Sequence, residues 1–499
     1  MPSLVADHCV GDFIAGKFVK TSKANSRITN QSPADLSDEL GIFPISLSHV
    51  DTAVQAARDA FPQWRKLEQS KRDALLRNYQ QQLQTHKDAI ALCICREVGK
   101  PLWEAHGEVG AMIAKVDLCL GEARKYSPNL DIDDLPGQIR NRPLGVLAVI
   151  GPYNFPGHLP NGQIVPALAT GNTVIFKPSE KAPATAAWMA LCLSEAGLPD
   201  GVFNVVQGEA QSAKVLVAHD GIDGILFTGS AAVGRDILTA NAAHLGKLVA
   251  LELGGKNASI VLEDADIDLA VRQVAFAAFA TSGQRCTSTS RLIIHRSIAP
   301  AFLNKLKATI SNIHVGYPQE PNVFMGPVIS ENSQNKILAA QTTAVAEGFE
   351  PFVPGGALAL SDKRGWYLKP AVHIAPNATA AVKGYTDSEL FGPDLCVFVT
   401  DTVDEAIALA NATNYGLVAA VFTKNAQTFD HCAENLRMGA VHWNRSTAGA
   451  SGRLPFGGIK DSGNYRPAGI LVNQLCTFPQ AILLNPKASS PVQWPGFPE

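Results

Sequence analysis

Apolar positions along the chain follow two rhythms, and the change between them falls near Gly145. Before it the spacing is mostly helical. Val50, Val54, Ala57, Phe61 and Trp64 recur at helical intervals behind Ser48, which predicts a helix capped by that serine. A second helix is predicted from a Ser70 cap to Arg96, stopping at Gly99 with Pro101 beyond it. Val109, Ile113 and Val116 predict a third, from Pro101 to about Tyr126. The acidic, turn-rich DIDDLPG that follows predicts a connection leaving the globule or a short exposed hairpin.

From Gly145 onward, continuous apolar runs alternate with helix-length segments. Gly145–Gly151 (GVLAVIG), Thr173–Phe176, Val202–Val206 and Gly224–Phe227 read as strands, with helices at Leu159–Ala169 and Ala182–Ala196. Runs without in-out alternation belong to strands covered on both faces, hence parallel β-α-β units with right-handed crossovers. This doubly wound pattern lasts to about residue 253. A second α/β run, roughly 258–440, carries strands at Ser259–Leu262, Arg291–His295, Cys396–Thr400 and Ala419–Thr423, and a helix at 266–280. Gln480–Leu484 reads as a lone strand before the Pro-rich KASSPVQWPGFPE, and must pack on or pair with something else. The expected class is α/β with two doubly wound parallel domains.

Length agrees with more than one domain, because 499 residues exceed the ~250–300 at which single cores stop growing. A hydrophobic content of 46% with 17% charged residues is that of a globular chain. The formal charge of −3 gives no electrostatic grip on nucleic acid or an anionic membrane. No apolar stretch approaches the ~18 residues of a membrane span. MPSLVADHCVGDF shows no basic-then-apolar leader, so a cytoplasmic location is expected. The nine cysteines are scattered and odd in number, without a C-x-x-C pair or zinc spacing. Reduced thiols are expected, with no disulfide framework and no metal.

One of those thiols stands apart. Cys286 lies in the small-residue loop TSGQRCTS between a helix and a strand, while the other eight sit in apolar runs or near the N-terminus. Either it is a packing atom like them, or it is a nucleophile whose thiolate Arg285 favours. Glu252, in LELGG, reads as a turn cap or as a general base raised by its apolar neighbours, with Gly254 and Gly255 allowing a substrate close approach. The turn Gly229-Ser-Ala-Ala-Val-Gly234 follows a strand and opens a helix; it is either a plain turn or a pyrophosphate cradle. Lys177 and Glu180 in FKPSE end another strand, where they suit a ribose, and the carboxylate would repel a 2′-phosphate, which favours NAD over NADP. Asn154, in GPYNFP, is a turn residue or an oxyanion donor. Glu389 with Phe391 adds a second acidic residue and an aromatic.

Taken in chain order, from Asn154 through Lys177 and Glu180, Gly229–Gly234, Glu252 and Cys286 to Glu389 with Phe391, and closed by Pro455-Phe-Gly-Gly458, these residues resemble the aldehyde dehydrogenase superfamily, from GDFIAGKFV near the start to PFGGIKDSG near the end. GPYNFPGHLPNGQIVPALATGNTVIFKPSE, FTGSAAVG, GQRCT and SGNYRP look most like its branch acting on N-succinylglutamate 5-semialdehyde, in the succinyl-transfer route of arginine breakdown. The resemblance implies NAD-dependent oxidation of an aldehyde to a carboxylate through a thiohemiacetal and a thioester on Cys286. Asn154 and the Cys286 backbone N–H would hold the oxyanion, and Glu252 would activate the hydrolytic water. Lys177 and Glu180 would bind the adenosine ribose, Gly229, Ser230, Ala231, Ala232, Val233 and Gly234 the pyrophosphate, and Glu389 the nicotinamide ribose, with Phe391 near the ring.

A succinylated substrate carries two carboxylates, so Arg285, Arg291, Arg445 and Arg453 are candidates to bind it, with Tyr153 and His158 also at hand. The implied division is 1–122 with 144–253 for NAD, 254–467 for catalysis, 123–143 with 468–487 as a β element bridging a homodimer or homotetramer, and a tail at 488–499. The alternatives are a dehydrogenase of another small semialdehyde or aliphatic aldehyde, and a non-catalytic NAD-binding structural protein.

Overall fold

The computed structural model describes residues 9–21, 24–133, 135–378, 384–485 and 495–496, so the tail expected at 488–499 falls almost wholly outside the described residues. Three strands from the apolar runs, Val146–Ile150, Thr173–Lys177 and Gly224–Thr228, are buried along their whole length. The reason is visible in one of them. Leu147 and Val149 enter one hydrophobic cluster while Val146, Ala148 and Ile150 enter another on the opposite face. With no polar face to show, such a strand cannot alternate.

The first sheet runs, edge to edge, Leu248–Glu252, Gly224–Thr228, Val146–Ile150, Thr173–Lys177, Phe203–Val205, Asp12–Ile14 and Lys17–Val19. Its first five strands are parallel and the last two join antiparallel. The chain leaves Val146–Ile150 toward one edge and returns to its other side, so the strand order reverses there and a crevice opens beyond the carboxyl ends. A second seven-stranded sheet runs Glu350–Pro354, Ala371–Ile374, Asp394–Thr400, Thr289–His295, Asn257–Val261, Val418–Phe422 and Ala440–Trp443, parallel except at the first strand. The lone strand near the end, Thr477–Leu483, pairs antiparallel with Gly137–Pro143, which pairs in turn with Leu130–Ile132. The described residues of DIDDLPG, all but Asp134, thus belong to a hairpin.

Several expectations are corrected. The first 125 residues open on strands rather than helix: Asp12–Ile14 with Lys17–Val19, then Ser26–Gln31 with Glu39–Ile45. The first hairpin turns through Ala15 (φ 49°) and Gly16 (φ 77°), both left-handed, as two-residue hairpin loops require. Asn204 Oδ1 accepts from Ala15 N at 3.0 Å and locks the turn to the sheet. Ser48 begins the helix Ser48–Trp64 without capping it. The single helix expected to Arg96 is two, Gln69–Thr85 and Lys87–Val98. They part at His86, whose ring meets Glu195 Oε2 at 3.0 Å and packs against Trp188. The second does stop at Gly99, at φ 72°. The third ends at Leu120, and Gly121 turns the chain into a 3-10 helix, Glu122–Tyr126. Among the described residues, no helix is long and apolar enough to cross a membrane.

Candidate active site

Every candidate residue of the first sheet stands at or beyond the carboxyl end of a strand. Asn154 follows Ile150, Lys177 ends its strand, Gly229–Gly234 follows Thr228, and Glu252 ends the edge strand. The loop carrying Cys286 arrives from the second sheet, between the helix Ile267–Phe279 and the strand Thr289–His295. Thr281 and Ser282 (both φ 55°) and Gly283 (φ 69°) turn this loop through consecutive left-handed conformations. Two of the three are non-glycine, so the surroundings must hold them there. Asn257 does part of this, its Nδ2 donating to Cys286 O at 2.7 Å and Ser288 O at 2.9 Å. From the other sheet, Asn154 Nδ2 donates to Gln284 O at 2.8 Å and Tyr153 Oη to Gln284 Oε1 at 3.2 Å. Asn154 is therefore tied to the cysteine loop by one N–H, and its amide has a second.

Gly254 and Gly255 admit protein rather than a substrate. A Cβ on Gly254 would lie 2.0 Å from Glu389 Oε2, and one on Gly255 would lie 2.5 Å from Cys286 O. Gly255 N donates to Glu389 Oε1 at 2.9 Å. These glycines let Glu389 and the cysteine loop close against the end of the Glu252 strand.

All nine cysteines are free; eight are buried, and Cys286 alone is partly exposed. It opens on a cavity of about 820 Å³ that Phe155, His158, Arg285 and Gly449–Arg453 also line. A hollow of about 20 Å³ beside Gly283 and Arg285 is lined by Glu389 and Phe391, with Phe391 itself at φ 56°.

The electrostatics correct one expectation. Arg285 was expected to favour the thiolate, yet the Cys286 thiol is pushed up, first by burial and then by the charges of Glu252 and Glu389, with Arg285 a weaker opposing influence. Part of the guanidinium's charge is met elsewhere: Arg285 Nε donates to Thr281 Oγ1 at 2.7 Å, and Nη2 lies 3.4 Å from Glu104 Oε1. Glu252 is 1% exposed, and neither carboxyl oxygen has a hydrogen-bond partner. It caps no turn. Burial alone raises it well above the ordinary carboxylate value, which favours the neutral acid. Glu389 is raised to about 7, by burial opposed by the Gly255 N–H and Lys256.

Sequence reasoning missed a buried ionic network under the site. Lys100 pairs with Glu108, and Glu108 Oε1 accepts from Gly157 N (2.9 Å) and His158 N (3.0 Å), just past Asn154. One helical turn earlier, Glu104 accepts from Thr281 N (3.0 Å) and Thr281 Oγ1 (2.7 Å), in the cysteine loop. The helix Leu102–Leu120 thus grips both loops with two carboxylates four residues apart. The signal in the sequence was a pair of carboxylates, Glu104 and Glu108, set among the apolar positions of that helix.

Lys177 is 5% exposed, its ammonium lies 3.9 Å from Glu180 Oε2, and the charge of Glu209 also acts on it. Ser230 Oγ caps the helix Ala231–Asn241, accepting from Val233 N at 3.4 Å. Of the arginines, Arg291 is fully buried and donates to the carbonyls of Lys256, Leu409 and Ala410. That is a structural role, joining the second sheet to a helix end. Arg445 is exposed and does not line the cavity, while Arg453 lines it but is paired with Glu122 at 2.9 Å.

The model of the aldehyde dehydrogenase family matches residues 18–477. The chain belongs to the aldehyde dehydrogenase family. Relatives of this aldehyde dehydrogenase include an N-succinylglutamate 5-semialdehyde dehydrogenase from Chromohalobacter salexigens, 43% identical over 87% of this chain and 88% of the relative. Another of that name, from Chromobacterium violaceum, is 39% identical over 96% of this chain and 98% of its own. Among solved structures, an NAD-dependent aldehyde dehydrogenase from Sinorhizobium meliloti superposes with a TM-score of 0.91 at 31% identity, covering 97% of this chain and 96% of that one. A betaine aldehyde dehydrogenase from Staphylococcus aureus, solved with NAD+, gives 0.91 at 29% identity over 98% and 97%. As an aldehyde dehydrogenase, the chain is an oxidoreductase.

Proposed function

We propose that this aldehyde dehydrogenase oxidises N-succinyl-L-glutamate 5-semialdehyde to N-succinyl-L-glutamate with NAD, a step of arginine breakdown. The observation that carries aldehyde oxidation is the exposure of Cys286, alone among nine cysteines, to the large cavity. The substrate is supported by the relatives' names, over nearly the full length of each chain.

Cys286 Sγ attacks the aldehyde carbon, and the second Asn154 N–H is free to hold the oxygen as it becomes negative. The thiol must first lose its proton, against the pull of burial and two carboxylates. Glu252, buried and without a hydrogen-bond partner, is suited as a general base for water once it has given up its own proton. NAD, when bound, supplies the acceptor for the two electrons that leave the aldehyde. The residues present fit that group: Lys177 and Glu180 for its adenosine ribose, the capped helix start at Gly229–Gly234 for its phosphates, and Glu389 with Phe391 for the nicotinamide end. The thioester left on Cys286 is hydrolysed by the water that Glu252 activates.

The same reading divides the chain into a cofactor part (1–122 and 144–253), a catalytic part (254–467) and a bridge (123–143 and 468–487) joining copies into a cytoplasmic homodimer or homotetramer. The pairing of Thr477–Leu483 with Gly137–Pro143 supports the bridge. A panel of succinylglutamate, glutamate, succinate and aliphatic semialdehydes, each with NAD and with NADP, tests reaction, cofactor and substrate together. NADH formation is expected to be most efficient with the succinylglutamate compound. A higher kcat/KM for a simple aliphatic aldehyde would refute the substrate.

A further inference from the structure

Three cationic side chains line the cavity that holds Cys286: Lys115, Arg285 and Arg453. Two of them already have carboxylates, Arg285 facing Glu104 and Arg453 facing Glu122. Lys115 does not. It is 6% exposed, and its Nζ donates to a backbone carbonyl, Gly469 O, at 2.8 Å. The ionisable side chains facing it are the thiols of Cys119 and Cys476, which burial pushes up and so keeps neutral, and the imidazole of His158. An ammonium withdrawn from water without a countercharge is costly, and burial holds this one below its ordinary pKa.

Two neighbours make the position a built one. His158 lines the same cavity, and its Nδ1 is buried with no hydrogen-bond partner. Burial brings this imidazole down to about 4, so the ring is neutral and its nitrogens can serve a ligand as donor or acceptor. Gly162 also lines the cavity, and a Cβ there would meet only Lys115 Cε, at 3.9 Å. The facing helix thus leaves the lysine stem uncrowded at this point.

We propose that Lys115, with His158 beside it, determines substrate specificity by binding a carboxylate of the aldehyde substrate, remote from the carbon held at Cys286. The inference rests on the aldehyde oxidation proposed above and deepens it, assigning the anion contact to a lysine that none of the four candidate arginines replaces. Carboxylate binding supplies the countercharge that the folded chain withholds from Lys115. A neutral aldehyde leaves the ammonium unpaired and gains nothing from it.

The test is kcat/KM with saturating NAD for N-succinylglutamate 5-semialdehyde, succinate semialdehyde and uncharged hexanal, in the wild type, Lys115→Met and Lys115→Gln. A charge-assisted hydrogen bond predicts a loss on the order of 10- to 100-fold for the carboxylated aldehydes, carried mainly by KM. Hexanal turnover is expected to stay level or improve, which also shows that the variants fold. Equal losses with all three aldehydes, or no loss with the carboxylated ones, overturn the subsite. A wild type that prefers succinate semialdehyde, paired with a Lys115→Met variant that loses this preference, would keep the subsite and refute the substrate proposed above. A wild type indifferent to the carboxylate would end the subsite while leaving aldehyde oxidation in place.

Discussion

At the scale of single residues, the site is a set of groups held in the less reactive protonation state. Burial raises Cys286, and both Glu252 and Glu389 push it further the same way. The rate of alkylation by iodoacetamide reads the thiolate directly. In the apoenzyme its rising limb should lie above the ~8.5 of an ordinary thiol. Above the pH at which Glu252 ionises, Glu252→Gln removes one like charge, so the limb should move to lower pH; a limb that stays put would show that Glu252 is not electrostatically joined to the thiol. The same variant separates two chemical roles. Cys286→Ser should abolish NADH formation outright, whereas Glu252→Gln should keep a single-turnover burst and slow the steady state by a factor on the order of 10²–10⁴, the usual worth of a general base. Loss of the burst would assign Glu252 to acylation as well. The sequence placed Cys286 correctly apart from the other thiols, because small polar neighbours mark a loop. It could not foresee the sign of the perturbation, since Glu389 lies 103 positions away from Cys286 in the chain and Glu104 neutralises Arg285 from a third element.

At the scale of elements, the cysteine loop is fixed by contacts that leave no room for a side chain. Gly283 has φ 69°, and a Cβ there would stand 2.1 Å from Gly392 O, a backbone atom that cannot swing aside. Gly283→Ala should therefore cost roughly 3 kcal/mol of stability, the left-handed penalty plus a forced backbone shift. Gly348 is the control. It too is left-handed, at φ 88°, but nothing lies within 4 Å, so its alanine variant should cost only about 1 kcal/mol. Gly110, inside the helix Leu102–Leu120 with open space around it, should gain about 0.5–1 kcal/mol as alanine. Urea unfolding of the three variants checks the order, and a Gly283 variant no weaker than Gly348→Ala would remove the case for backbone crowding. The buried strands were legible because covering both faces forces unbroken apolar runs. The N-terminal hairpins were not, since Ser26–Gln31 alternates weakly and its partner Glu39–Ile45 contains both glycine and proline. The break at His86 was also hidden, because it comes from Glu195 and Trp188, over a hundred residues distant.

At the scale of the whole molecule, the three-stranded sheet poses the remaining physical problem. Among the described residues, Thr477–Leu483 pairs with Gly137–Pro143 on one side only, so its outer edge is left with unpaired backbone groups. Phe478 (44%) and Leu483 (76%) are exposed on that strand, as are Leu130 and Ile132 on the far strand of the same sheet. A seven-residue open edge carrying large apolar side chains, without a covering helix, is what soluble chains avoid unless another chain completes it. The bridge proposed for 123–143 and 468–487 resolves this if a second copy docks there. Phe478→Asp with Leu483→Asp places two charges on that surface without touching Cys286, Glu252 or the cavity. Light scattering should then report a monomer in place of the dimer or tetramer proposed for the wild type. An unchanged mass would put the contact elsewhere and leave the open edge unexplained. Because Val472, Cys476 and Asn172 tie the start of this strand into the core of the first sheet, with Asn172 Nδ2 donating to Cys476 O at 2.9 Å, the monomer should retain its fold while losing thermal stability. The loss should grow as the wild type is concentrated and the variant is not helped, since mass action stabilises only the assembly that binds itself.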